Sequence, residues 1–160
     1  MMKTWYQSPI GVLIMVSDGT SLTELRFGKP KESTNDPDLP VFKETRRWLD
    51  LYFSGNNPTK APQLNLQGTP FQQKVWQELL KIPYGQTTTY GTIAQRISCR
   101  SAQAVGQAIH RNPIAIIIPC HRVIGADGSL TGYASGLDIK SRLLGIELHG
   151  CLSPADPDKK

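Results

Sequence analysis

No apolar run in this 160-residue chain approaches the roughly 20 residues that a membrane-spanning helix needs. The opening stretch, MMKTWYQSPIG, lacks the apolar segment of a secretory signal, so the expectation is a cytoplasmic protein without membrane contact. Cysteine is scarce. Cys99, Cys120 and Cys151 are odd in number and not spaced in pairs, which suggests neither a disulfide framework nor a zinc site and suits a free thiol in a reducing compartment. No Cys and His cluster stands near the amino terminus, and no metal or phosphate-binding spacing occurs in the first half. The formal net charge of +5 is modest, but its distribution is uneven. Residues 70–150 carry eight Lys or Arg against four acids, whereas residues 1–69 carry eight against seven. A basic surplus confined to one half suits a polyanionic partner.

What is there divides at a Pro- and Asn-containing connector, residues 56–62. The chain reads as α+β: a small amino-terminal α/β scaffold over 1–62, a carboxy-terminal helical domain over 63–150, and a tail over 151–160. In the first part, VLIMV and LTELRF flank Ser17-Asp18-Gly19 as a hairpin. Residues 29–40 are a loop, and 41–53 a helix that Gly55 terminates. The aromatics of this half are expected in its core. In the second part, Thr69 caps a helix with Pro70 at its first position, and Phe71, Val75, Trp76, Leu79 and Leu80 form its buried stripe. Helices over 89–97 and 101–110, joined by a turn at 98–100, have the spacing of a helix-turn-helix. The second is small-sided, with Ser101, Ala102, Ala104, Gly106 and Ala108, which permits close approach to another helix or to a nucleic-acid groove. Ala126-Asp127-Gly128 is a turn, 131–136 a loop around Tyr133, and 139–146 a helix.

Chemistry concentrates in IIIPCHRVIG, residues 116–125. Residues 114–118 are uniformly apolar and read as a fully buried strand ended by Pro119. A thiol delivered to the rim of a core, with an imidazole beside it to take its proton, is a nucleophile. That thiol is Cys120, and His121 is the base.

The pentapeptide PCHRV resembles the active-site signature of the O6-alkylguanine-DNA alkyltransferases. The likeness extends through GTPFQQKVW, IPYGQTTTYG, AVGQAIHRNP, TGYASG and LLGIE, about half of the chain. It implies stoichiometric transfer of an alkyl group from O6 of guanine in double-stranded DNA onto Cys120. Whether O4-alkylthymine is a second substrate is left open. By the same resemblance the thiol proton passes through a water to His121, which Glu147 orients. Tyr90 faces the departing purine with a donor, and Asn112 links the recognition helix to the active-site strand. Tyr133 and Ala134, with Pro119 and Val123, bound the base pocket. Gln103 fills the space of the flipped base, with Arg100, Ser101, Ala102, Gln72 and Arg111 as further DNA contacts. Neither cofactor nor metal is implied, and the protein is expected to act as a monomer.

One position departs from the pattern. Gln103 stands where the family commonly has arginine; it can occupy the gap and hydrogen-bond the orphaned base, without charge or guanidinium stacking. Arg100, three residues earlier, shares a similar face if the helix begins that early. Three rival readings compete. Alkyltransferase-like proteins bind the lesion without removing it, but lack the cysteine. A helix-turn-helix regulator needs base-reading side chains, of which this helix has few. A cysteine hydrolase needs an oxyanion-hole motif, and none is evident.

Overall fold

The computed structural model describes residues 2–29, 38–58, 60–128 and 136–149. Strands β1 (Met2–Ser8), β2 (Gly11–Ser17) and β3 (Leu22–Gly28) form an antiparallel sheet in that order. The expected hairpin is β2–β3, whereas β1 was not anticipated. Its polar, mixed sequence carries little alternation, and it pairs residue by residue along β2, from Met2 with Ser17 to Ser8 with Gly11. The turn at Asp18 is held by its carboxylate, which accepts from the amides of Thr20 and Ser21 at 3.0 and 2.9 Å.

Helix α1 (Pro40–Phe53) starts with proline at its first turn and buries Val41, Phe42, Thr45, Trp48, Leu49 and Tyr52. Helix α2 (Pro70–Leu79) opens with a full capping box. Thr69 accepts from the Gln72 amide at 3.1 Å, and the Gln72 side-chain oxygen accepts from the Thr69 amide at 3.0 Å. Its stripe is narrower than expected, because Leu80 lies at the cap and is exposed.

Helices α3 (Tyr90–Arg96) and α4 (Ala102–His110) form the helix-turn-helix. Thr89 and Ser101 cap them, accepting from Thr92 and Ala104 at 3.1 and 3.0 Å. The indole of Trp76 donates to the Ala108 carbonyl at 2.9 Å and stitches α2 to α4. Two short parallel strands flank this pair, β4 (Thr88–Thr89) before α3 and β5 (Val123–Ile124) after α4, and α5 (Leu137–His149) closes the described chain. Among the described residues no helix is long and apolar enough to cross a membrane.

One apolar core runs from the sheet to the carboxy-terminal helices, taking in Leu13, Leu25 and Tyr52 as well as Trp76, Val105, Ile118 and Leu143. The outer edge of β3 is also closed by the other half. Leu25 donates to the Pro113 carbonyl at 2.9 Å and accepts from the Ala115 amide at 2.8 Å, while Leu22 makes the same pair of bonds with Gln63 and Asn65 at 2.8 and 3.0 Å. The loop expected at 131–136 lies outside the described residues except for Gly136, as does the tail from 151, and of the 29–40 loop only its ends are described.

Candidate active site

The apolar run before Cys120 is buried as expected, but it is not a strand. Only Ile114 bridges to β3, and the chain then coils into consecutive tight turns. The Ile118 amide donates back to the Ile114 carbonyl at 3.1 Å. A γ-turn, Ile117 amide to Ala115 carbonyl at 2.7 Å, places Ile116 at φ +70. A β-branched residue in that region costs about 1–3 kcal/mol, which the surroundings must offset. A second γ-turn at Pro119 joins the Cys120 amide to the Ile118 carbonyl at 2.7 Å. The reason for the departure from a strand is hydrogen bonding. Only one strand edge is on offer, and Asn112 satisfies the rest, accepting from the Ile114 amide at 3.0 Å and donating to the Ile118 carbonyl at 2.9 Å. Asn112 therefore clamps both ends of the turn.

Cys120–Arg122 is a single 3₁₀ turn, with Cys120 7% and His121 0% exposed. Nε2 of His121 lies 2.5 Å from Oε2 of Glu147, delivered by α5. An ionised carboxylate only accepts, so this nitrogen carries the proton. Nδ1 then holds the lone pair and has no protein partner among the described residues. That is the arrangement of a base waiting for a proton.

Glu147 is saturated with donors. Beyond His121, Oε2 accepts from Tyr52 Oη at 2.7 Å and Arg122 Nη2 at 3.1 Å; Oε1 accepts from Arg122 Nε at 2.7 Å and the Gly85 amide at 3.0 Å. Gly85 reaches this position with φ +81, a conformation glycine adopts without penalty. Burial pushes the Glu147 carboxyl up, but its His121 and Arg122 partners outweigh burial and hold it at about 2. His121 goes the other way: burial, helped by Arg122 and Lys140, lowers its pKa against the pull of Glu147. The imidazole is thus neutral near neutral pH.

Three participants escaped the sequence reading. Arg122 was in view only as part of the PCHRV motif; its guanidinium also donates to the Ile82 carbonyl at 2.7 Å and lies 5.7 Å from the Tyr84 ring centroid. Lys140, fully buried on α5, donates to the Val123 carbonyl at 2.5 Å. Burial lowers its pKa, and an electrostatic attraction to Cys120 opposes that. Tyr52 comes from the half read as scaffold, and a tyrosine within an amphipathic helical stripe gives no sign of reaching a site.

A separate open groove of about 960 Å³ lies along α4. Gln72, Tyr90, Gln103 and Arg111 line it, with Gly106 against the Tyr90 ring. The β4–β5 pairing sets Thr89, the cap before Tyr90, beside Ile124, so the groove and the thiol turn are held in one register. Ser101 and Ala102 are exposed at the start of α4. Arg100 is not on the helix, which begins at Ala102, so it does not share a helical face with Gln103. Val123 is buried next to the 3₁₀ turn. Pro119 borders a different cavity, of about 280 Å³, with Trp48, Tyr84 and Arg122. Tyr133 and Ala134 lie outside the described residues. Among the described residues no group of three or more His, Cys, Asp or Glu could hold a metal ion.

Comparison with known proteins gives a consistent result. Residues 70–149 match the family described as 6-O-methylguanine DNA methyltransferase, DNA binding domain, and residues 1–66 match 6-O-methylguanine DNA methyltransferase, ribonuclease-like domain. A methylated-DNA–protein-cysteine methyltransferase of Methanosarcina acetivorans is 49% identical, with 89% of this chain and 95% of that one covered. One of Mycobacterium leprae is 48% identical, covering 91% and 92%. The Mycobacterium tuberculosis OGT solved in complex with DNA superposes with a TM-score of 0.87 at 44% identity, covering 96% of each chain.

Proposed function

Since the chain belongs to the 6-O-methylguanine DNA methyltransferase family, we propose that Cys120 is the residue on which its chemistry ends. The protein is a DNA-repair alkyltransferase that acts on double-stranded DNA and moves an alkyl group from O6 of guanine to a cysteine. The observation that carries the assignment is a buried, neutral His121 whose proton-bearing Nε2 is fixed on Glu147, in the same 3₁₀ turn as the buried Cys120 and with Nδ1 unpartnered among the described residues.

The thiol proton passes through a water to Nδ1 of His121, leaving a thiolate. Sulfur attacks the alkyl carbon, the C–O6 bond breaks, and its electron pair stays on the purine. Tyr90 donates toward that developing charge, and the imidazolium proton is returned as the base becomes guanine. Glu147 holds the imidazolium while it exists. A thioether has no leaving group for water to displace, so each molecule acts once.

The reacting oxygen is stacked inside the duplex, so the base must leave the helix, at roughly a few kcal/mol. Gln103, exposed on α4 and lining the groove, takes the vacated space. Ser101 and Ala102 let the helix approach the minor groove closely, with Arg100, Arg111 and Gln72 beside it. Tyr133, Ala134, Pro119 and Val123 bound the base pocket. Residues 1–62 act as scaffold, and 63–150 carry DNA binding and transfer. A monomer in the cytoplasm, where a thiol stays reduced, fits this role.

The test is incubation with duplex O6-methylguanine DNA followed by intact mass and peptide mapping. One methyl group on Cys120, never more than one per protein, is expected. Cys120→Ala should bind DNA and gain nothing, whereas Cys99→Ala should still be methylated. Transfer to Cys99, or continued transfer in Cys120→Ala, removes the assignment.

A further inference from the structure

The Tyr52 hydroxyl is a polar group where packing alone would accept phenylalanine. Its ring stacks on Trp48 at a centroid distance of 5.4 Å and meets Phe53 and Tyr84 edge-on. The hydroxyl is wholly buried, 95 positions from the carboxylate it reaches. Burying a phenol oxygen is costly unless it is hydrogen-bonded. Its short contact is with Glu147 Oε2 at 2.7 Å; the Leu143 carbonyl and His121 Nε2 are each 3.4 Å away. A single O–H donates to the near, charged acceptor.

That oxygen is the one His121 uses. We propose that Tyr52 is a positioning residue for alkyl transfer: by donating to the Glu147 oxygen that holds His121, its hydroxyl draws off part of the negative charge and thereby sets how basic the imidazole is. The inference rests on the reading of His121 as the base. Among the described residues, the groups acting on His121 are Glu147 and Lys140 from α5, Arg122 from its own turn and Tyr52 from α1, while Glu147 in turn raises Tyr84 in the turn after α2. Arg122 and Glu147 supply full charges. Tyr52 supplies a dipole without charge, because burial and Glu147 keep its phenol protonated. It therefore adjusts the carboxylate without competing for the thiol proton.

The sign follows from the hydrogen bond. In Tyr52→Phe the carboxylate loses a donor, pulls harder on the imidazolium, and raises the pKa of His121. The base must be neutral to accept a proton, so the acidic limb of the single-turnover rate moves to higher pH. Below neutrality the rate should fall roughly three- to tenfold, with a smaller change at high pH. The opposite perturbation is 3-fluorotyrosine placed at position 52 alone, which donates more strongly and should move the limb to lower pH. NMR of the labelled His121 imidazole reads the same shifts without turnover.

Both variants and the wild type are compared on duplex O6-methylguanine DNA, with thermal stability and DNA affinity measured in parallel. Limb shifts of opposite sign with unchanged affinity are expected. If Tyr52→Phe folds poorly, the fluorinated protein decides alone. Superimposable pH profiles, or a rate loss uniform across pH, overturn the role of Tyr52. Failure of the wild type to gain a methyl on Cys120 would overturn the transfer assignment instead.

Discussion

At the scale of single residues, the site is a balance of buried charges in which Glu147 is the shared counter-ion. Removing one partner of such a cluster leaves the others uncompensated, at about 3–5 kcal/mol. Glu147→Gln should accordingly lower stability by about 3 kcal/mol and slow transfer by about tenfold or more, because the imidazolium loses its anion. DNA affinity, read by titration with Cys120 intact, should change by less than about twofold, since the carboxylate is buried away from the α4 groove. An unchanged single-turnover rate would take Glu147 out of the relay. Gln103 offers the complementary case. It is exposed in the groove, and if it fills the gap of the flipped base as proposed, Gln103→Ala should weaken repair of duplex lesions and leave reaction with free O6-benzylguanine nearly unaltered. Equal slowing of both would mean that the residue shapes the fold or the pocket rather than filling the gap.

At the scale of elements, the turn between α3 and α4 carries a local misfit that can be tested. The Cys99 amide donates to the Ala94 carbonyl at 2.8 Å and the Ser98 amide to Gln95 at 3.2 Å, a Schellman motif whose left-handed position is filled by Ser98 at φ +58 rather than by glycine. Ser98→Gly relieves that conformation, offset in part by a looser unfolded chain, and should gain about 0.5 kcal/mol, or roughly 2 °C in Tm. A lower Tm would mean that the serine side chain holds the turn. Elements of this kind were legible in the sequence where local chemistry decides them: Thr69-Pro70 announced α2. Those decided by distant partners were not. β1 exists because β2 pairs along its whole length, and residues 114–118 coil because Asn112 and the β3 edge divide their hydrogen bonds. Among the site residues, Cys120, His121 and Glu147 stood out through motif and chemistry. Tyr52 and Lys140 did not, since burial of a tyrosine against a carboxylate, or of a lysine against a backbone carbonyl, is a property of the folded chain.

At the scale of the whole molecule, the buried ionisable groups set how stability follows pH. The pKa of His121 is lowered in the fold, so its contribution is complete above the ordinary 6.5 and is lost as pH falls through the folded value. Glu147 is lowered from 4.5 to about 2, so its share is present above pH 4.5 and is lost on the way down to about 2. Urea midpoints should therefore decline already between pH 7 and 5, then drop further below 4.5, and the second decline should be reduced in Glu147→Gln. A midpoint that is flat down to pH 5 would contradict a neutral, buried His121. The bridge between Leu25 on β3 and residues 113 and 115 has a further consequence. The Leu25 and Ala115 amides lose their partners only when the thiol-bearing turn leaves the sheet, and Ile114 between the two acceptors is fully buried. Their deuterium uptake should follow that of the central-strand amides, in the slowest class of the protein. Bulk solvent then reaches the back of the reactive turn no more often than the whole chain unfolds.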